Sequence, residues 1–240
     1  MNIQKHKNKA FTLAEVLITL GIIGVVAAIT LPALIASNRN KQLESALKKE
    51  YSLISQALDF YNAEYGVRIT PENTSHTTLK TKLLPYFKIS RDCGRGSEGT
   101  AEELEKTCIP NYGNEGTTEK SSKTYTNLNG KNYIDLTRFD DGQFVLIDGA
   151  LVLIENANAG QLFISVDVNG YGKRPNRLGQ DLFMFEINDK GALLPMGVAG
   201  TFYYGENNEY CNSSSTNSMN GAGCTYKALN EKDYFNNLPK

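Results

Sequence analysis

Histidine is nearly missing from this chain: the sequence has two, His6 and His76. A Ser–His–Asp or Cys–His arrangement would have to use His76, and no nucleophile carries a local signature around it. His76 lies in a polar, turn-rich region and reads as a surface residue. No P-loop is present, because "GYGK" at residues 170–173 lacks the spacing that cradles a phosphate. An excess of one charge is also missing. Lys and Arg number 25 and Asp and Glu 26, for a formal net charge of −1. Without basic stretches interleaved with aromatics, nucleic acid is excluded as a partner. No internal repeat is visible.

Cysteine is sparse and unevenly placed. All four, Cys93, Cys108, Cys211 and Cys224, lie in the later part of the chain. No CxxC spacing occurs, which with two histidines argues against zinc. An even count in an exported domain reads as disulfides, and four cysteines allow three connectivities. The two close pairs favour the local one, 93–108 with 211–224. Closing a loop of that size stabilises by about 3 kcal/mol on a chain-entropy account.

What the chain does have is one long apolar run. From Val16 to Ala36 there is no charged residue, and only Thr19, Thr30 and Pro32 interrupt the greasy character. As a helix this run spans roughly 31 Å, the hydrocarbon thickness of a bilayer. Lys5, His6, Lys7 and Lys9 precede it with no acid among the first ten residues. The positive-inside rule puts that end in the cytoplasm and the rest outside, although Arg39, Lys41, Lys48 and Lys49 follow the run.

One acid, Glu15, stands at the head of the run. A carboxylate in hydrocarbon costs at least ~2.5 kcal/mol and needs a partner. A cut between Ala10 and Phe11 would supply one: the new α-amino group would lie one helical turn from Glu15, or beside the Glu15 of a neighbouring copy. Pairing between copies would also fix their axial stagger, so the acid suits a segment that leaves the membrane in a helical stack.

The sequence "KAFTLAEVLITLGIIGVVAAITLP" resembles the N-terminus of type IV pilins and of the pseudopilins of type II secretion. The resemblance implies a basic leader removed by a prepilin peptidase, with Ala10 before the cut where the family usually has glycine. It implies N-methylation of Phe11, Glu15 as the acid that sets assembly register, and Gly24 and Pro32 where the family places a glycine and a proline. The partners it implies are the prepilin peptidase, other pilin or pseudopilin subunits, an inner-membrane assembly platform and the lipid bilayer. The location it implies is the bacterial inner membrane, crossed once with the C-terminal domain outside, and then an extracytoplasmic filament. An ordinary secretory signal ending near "ALIAS" (residues 33–37) and a signal anchor that never assembles are the alternatives.

Downstream, Leu43, Leu47, Tyr51, Ile54, Leu58, Tyr61 and Tyr65 form a one-sided apolar stripe, and Gly66 supplies a stop. Residues 12–65 therefore read as one nearly continuous helix, kinked or loosened at Pro32. The expected fold is α+β, a pilin-like lollipop whose long N-terminal helix packs on a C-terminal antiparallel sheet with disulfide-pinned loops. Its parts are a leader (1–10), a membrane or filament-core helix (11–36), its amphipathic continuation (37–66), a polar αβ-loop region (67–131), the sheet (132–199), and a C-terminal disulfide loop and tail (200–240). Within 67–131, a short helix ends near Pro85, and residues 100–107 form a capped stretch with Thr100 followed by Glu103. "QFVLI", "ALVLIE", "QLFISVDV" and "DLFMFEI" read as about four strands of a meander, and Asp148-Gly149 as a tight hairpin.

The most chemical stretch is residues 167–183. Asp167, Asn169 and Asp181 offer the hard oxygens that calcium takes, and the major pseudopilins carry calcium in a loop of this sheet. Lys173, Arg174 and Arg177 bring opposing charge into the same loop. The alternative is an Asx-Gly turn, with Asp181 salt-bridged to an arginine or capping backbone amides. The sequence thus predicts a non-enzymatic filament subunit, pilin or pseudopilin, with no required cofactor beyond this candidate calcium. A membrane-anchored or tip-located binding protein is the rival reading.

Overall fold

The computed structural model describes residues 12–95, 106–109, 124–156, 160–205 and 208–239. The capped stretch expected at residues 100–107 falls largely outside them, as do Ala10 and Phe11. The chain divides into two compact units, Met1–Lys41 and Gln42–Lys240.

Helix α1 runs from Leu13 to Tyr65 and continues through Pro32. It stops where predicted, at Gly66, whose φ of 69° is left-handed and whose N–H still reaches Asn62 O at 2.9 Å. Beyond Lys41 the helix buries Leu43, Leu47, Glu50, Ile54, Ala57, Leu58 and Tyr61. The predicted stripe differs at two places: Tyr51 is only half-buried and Tyr65 is exposed. At Tyr51 the cause is helical geometry. At about 100° per residue, seven steps from Leu43 return to within about 20° of the same face, at Glu50, whereas eight steps overshoot to Tyr51. Tyr51 still stacks on Phe185 with ring centroids 5.4 Å apart.

A short helix α2, Leu79–Leu83, runs into a 3₁₀ turn, Leu84–Tyr86, with Pro85 in its first turn, where a missing N–H costs nothing. The sheet is a six-stranded antiparallel meander in chain order: β1 Ile89–Asp92, β2 Gly142–Leu146, β3 Leu151–Glu155, β4 Phe163–Asp167, β5 Leu182–Ile187 and β6 Leu193–Pro195. The four central strands coincide with the predicted runs. The two edge strands were not predicted, and β1 arises inside the region read as polar loop. Its sequence "ISRD" has no apolar alternation and its pairing with β2 is irregular, both usual for a strand that ends a sheet.

Both faces of the sheet are covered. Phe144, Leu146, Val152, Ile154, Ile164, Val166, Phe183 and Phe185 pack with the buried residues of α1 and α2. Leu151, Leu153, Phe163, Leu182 and Met184 form a second core with Tyr125, Ile134, Phe139, Met196 and Tyr203. Two buried faces explain why the central strands read as apolar runs instead of alternating. Full burial of each large apolar side chain contributes about 1.5–3 kcal/mol.

The tail is more structured than its Asn- and Ser-rich composition suggested. Cys211–Cys224 closes one loop, and Cys93–Cys108 pins another beside β1. A last helix, α3, spans Thr225–Asn230, and Thr225 Oγ1 accepts the Met184 N–H of β5 at 3.1 Å. Ala228 and Phe235 enter the helix-side core, with Phe235 5.9 Å from Phe183.

Candidate functional site

The first candidate is the N-terminal half of α1. Thr12 and Glu15 close on each other at its start: Thr12 N–H and Oγ1–H both donate to Glu15 Oε2, at 2.9 and 2.8 Å, while Glu15 N–H donates back to Thr12 Oγ1 at 3.2 Å. This is a capping box, satisfying helix-start groups that have no intrahelical partner. The T-x-x-E spacing was visible in the sequence, so the acid has a local role beside any pairing with an amine. Both side-chain-bound protons go to Oε2, and among the described residues Oε1 takes none.

The rest of this half suits an apolar surrounding. Its most apolar 18-residue window has a mean hydropathy of 2.4 and nothing in it is buried; Leu13 is 77% and Ile29 72% exposed. The two hydroxyls inside the run are satisfied by the helix itself. Thr19 Oγ1–H donates to Glu15 O and Val16 O, both at 2.9 Å, and Thr30 Oγ1–H donates to Val26 O at 2.9 Å. No polar side chain in the run is therefore left to find a partner in lipid.

The second candidate is the loop between β4 and β5, and the structure brings its three predicted residues together. Asp167 is fully buried. Its Oδ2 accepts the Tyr125 hydroxyl at 2.6 Å, and its Oδ1 accepts Asn169 N–H at 3.3 Å and Gly170 N–H at 2.9 Å. Burial first, then the charge of neighbouring Asp181, pushes the Asp167 carboxyl up to about 7. Asp181, also fully buried, accepts Asn176 N–H at 2.8 Å and Arg177 N–H at 2.7 Å. The Asx-Gly turn and the backbone cap anticipated as the alternative are thus both formed.

The donor set nevertheless has the chemistry of a hard-cation site. Asn169 Oδ1 and Asn176 Oδ1 are buried without a hydrogen-bond partner. Their amide groups point elsewhere, Asn169 to Arg174 O at 3.4 Å and Asn176 to Tyr171 O at 3.1 Å. Two orphaned amide oxygens beside two buried carboxylates fit calcium. The guanidinium of Arg177 is drawn off to Pro239 O at 3.3 Å, and Lys173 and Arg174 are exposed. Asn176 was not singled out from sequence, because its value depends on the fold of the loop around Asp181.

A third cluster was not foreseen at all. Carboxylate oxygens of Asp140, Asp141 and Glu155 lie within 4.8 Å of one another. Asp141 accepts Asn156 N–H at 2.7 Å and faces His76 Nε2 at 3.7 Å. Strand pairing of β2 with β3 assembles it from distant positions, which no local pattern announces.

Residues 5–31 match the prokaryotic N-terminal methylation motif, the signature of type IV pilins and pseudopilins. No curated protein and no solved structure matches the chain.

Proposed function

We propose that this type IV pilin-like precursor is a filament subunit, processed between Ala10 and Phe11 and assembled from the membrane that α1 enters. The observation that carries the reading is Glu15, inside the matched motif and at the head of the apolar half of α1, whose most apolar stretch has no buried residue. Removal of the leader frees an α-amino group next to that carboxylate, and Oε1 is the oxygen with capacity to receive it. An ammonium–carboxylate pair offsets much of the desolvation of both groups. Made between copies, it sets their stagger as the apolar helices stack. The domain after Lys41 then forms the outer surface, and its role is structural.

The single N-terminal helix anchors the precursor, and a prepilin peptidase and sibling subunits are its first partners. Calcium, held by Asp167 and Asp181 with the side-chain oxygens of Asn169 and Asn176, would brace the loop between β4 and β5 by replacing repulsion between two buried acids with attraction to one ion. Calcium added to metal-free protein should raise the thermal midpoint, and Asp181→Asn should remove that rise. An unchanged midpoint in the unsubstituted protein would discard the ion.

Mass spectrometry of the native protein tests the main reading. The expected mature chain starts at a methylated Phe11. A chain that keeps residues 1–10 in cells with an active prepilin peptidase would refute it. A chain that is cut but never found in a filament would favour the anchored binding protein.

A further inference from the structure

Within Gln42–Lys240, α1 and the β2–β3 turn leave a groove of about 300 Å³ lined by Leu53, Ala57, Phe60, Phe87, Leu146 and Ile147. Phe60 is 57% and Ile147 68% exposed, and Ile147 stands at the mouth of a turn that would otherwise be polar. Lys49 and Lys88 border the groove. Lys49 is ion-paired with Asp148, whereas Lys88 has no ion-pair partner among the described residues. The groove is therefore apolar with a cationic rim.

The opposite face of the sheet carries a complementary feature. At the turn Phe202–Tyr204, Phe202 and Tyr204 are 46% and 45% exposed. Phe202 rests on Phe163 and Tyr203, with ring centroids 5.7 and 4.9 Å away, so its position is set by the second core. Its N–H donates to Glu186 Oε2 at 2.7 Å, and Asp189 is close enough to act on the charge of Glu186. Arg138 sits over the Phe202 ring at 5.7 Å. The turn thus presents aromatic rings with two carboxylates and one guanidinium beside them.

We infer that the groove receives the Phe202–Tyr204 turn of a second copy of this chain. Groove and turn lie on opposite faces of one sheet, so a copy cannot fill its own groove. Lys88 meets Glu186 and Asp189, whose two negative charges outnumber the one positive charge of Arg138 beside Phe202, and an aromatic ring fills an apolar slot. A contact between two different patches is heterologous; repeated, it builds a ring or an open helical array instead of a closed two-fold dimer. This rests on the filament reading, and adds to the stacked helices a lateral contact between head domains.

The test is disulfide cross-linking in the full-length protein, assembled in its native membrane, with Ile147→Cys combined with Tyr204→Cys, which keeps the Phe202 ring and replaces an exposed neighbour in the same turn. The four native cysteines are engaged in Cys93–Cys108 and Cys211–Cys224, which leaves the new thiols to report. Intact native disulfides and an unchanged thermal midpoint check that each variant folds. The expected result is a ladder at multiples of the chain mass, absent from either single variant. Phe60→Glu should cut its yield roughly tenfold, the loss that one buried aromatic anchor carries. Filaments without a ladder would overturn this contact and leave the filament reading standing. A ladder from either single variant, or a product whose mass is not a multiple of the chain, would overturn it as well. Absence of filaments from the unsubstituted protein would overturn both.

Discussion

The two halves of α1 share one backbone and meet opposite surroundings. Between Leu13 and Ile35 the large apolar side chains lie open, from 41% exposed at Val16 to 77% at Leu13. Beyond Lys41 the same helix buries a stripe from Leu43 to Tyr61 against the sheet. Apolarity alone does not separate them. The first half is apolar all round, which the sheet of one chain cannot cover, while the second is apolar on one side and polar on the other. The lesson is that a helix declares its partner by how far around its circumference the apolar residues extend.

Alanine scanning should break this symmetry of backbone most sharply. In the full chain in detergent micelles, Leu47→Ala should destabilise the head by about 2–5 kcal/mol, because the side chain is fully buried. Ile23→Ala, on the exposed half, should leave denaturant unfolding of the head within about 0.5 kcal/mol of the unsubstituted protein. Equal losses would mean that the first half also packs on the head.

A smaller effect sharpens the packed half. Glu50 is 1% exposed, and its Oε2 has no hydrogen-bond partner. Burial raises its carboxyl above the ordinary range, against the weaker opposing pull of Lys49. A raised folded-state value means that ionisation opposes folding. Stability is therefore greatest below the unfolded-state value and is lost as pH rises through the folded-state value. The unfolding midpoint of Glu50→Gln should fall less over that window than that of the unsubstituted chain. Parallel pH curves would show that Glu50 is solvated.

How much of this was legible in the sequence follows the same physics. The helix was, because its periodicity persists over many turns; its exact inner face was not, since Tyr51 and Glu50 are adjacent and only packing chooses between them. The central strands were, because burial on both faces leaves nearly unbroken apolar runs. Strand β1, with its polar "ISRD", was not, since it draws its definition from pairing with β2. The tail's Ala228 and Phe235 are isolated apolar residues in polar context, and only the closed Cys211–Cys224 loop and α3 bring them to the core. At the sites, Asp167, Asn169 and Asp181 were found because they are near in sequence, whereas Asp140, Asp141 and Glu155 meet only through the β2–β3 register.

The most direct measurement of the central claim is the yield of sheared filament from cells carrying Glu15→Ala beside cells carrying Thr12→Val. Thr12→Val removes the capping hydroxyl and keeps the acid; Glu15→Ala removes both cap and acid. The account predicts that filaments persist with Thr12→Val and vanish with Glu15→Ala, while that variant is still cut after Ala10 and retained in the membrane. Undiminished filaments from Glu15→Ala would contradict it.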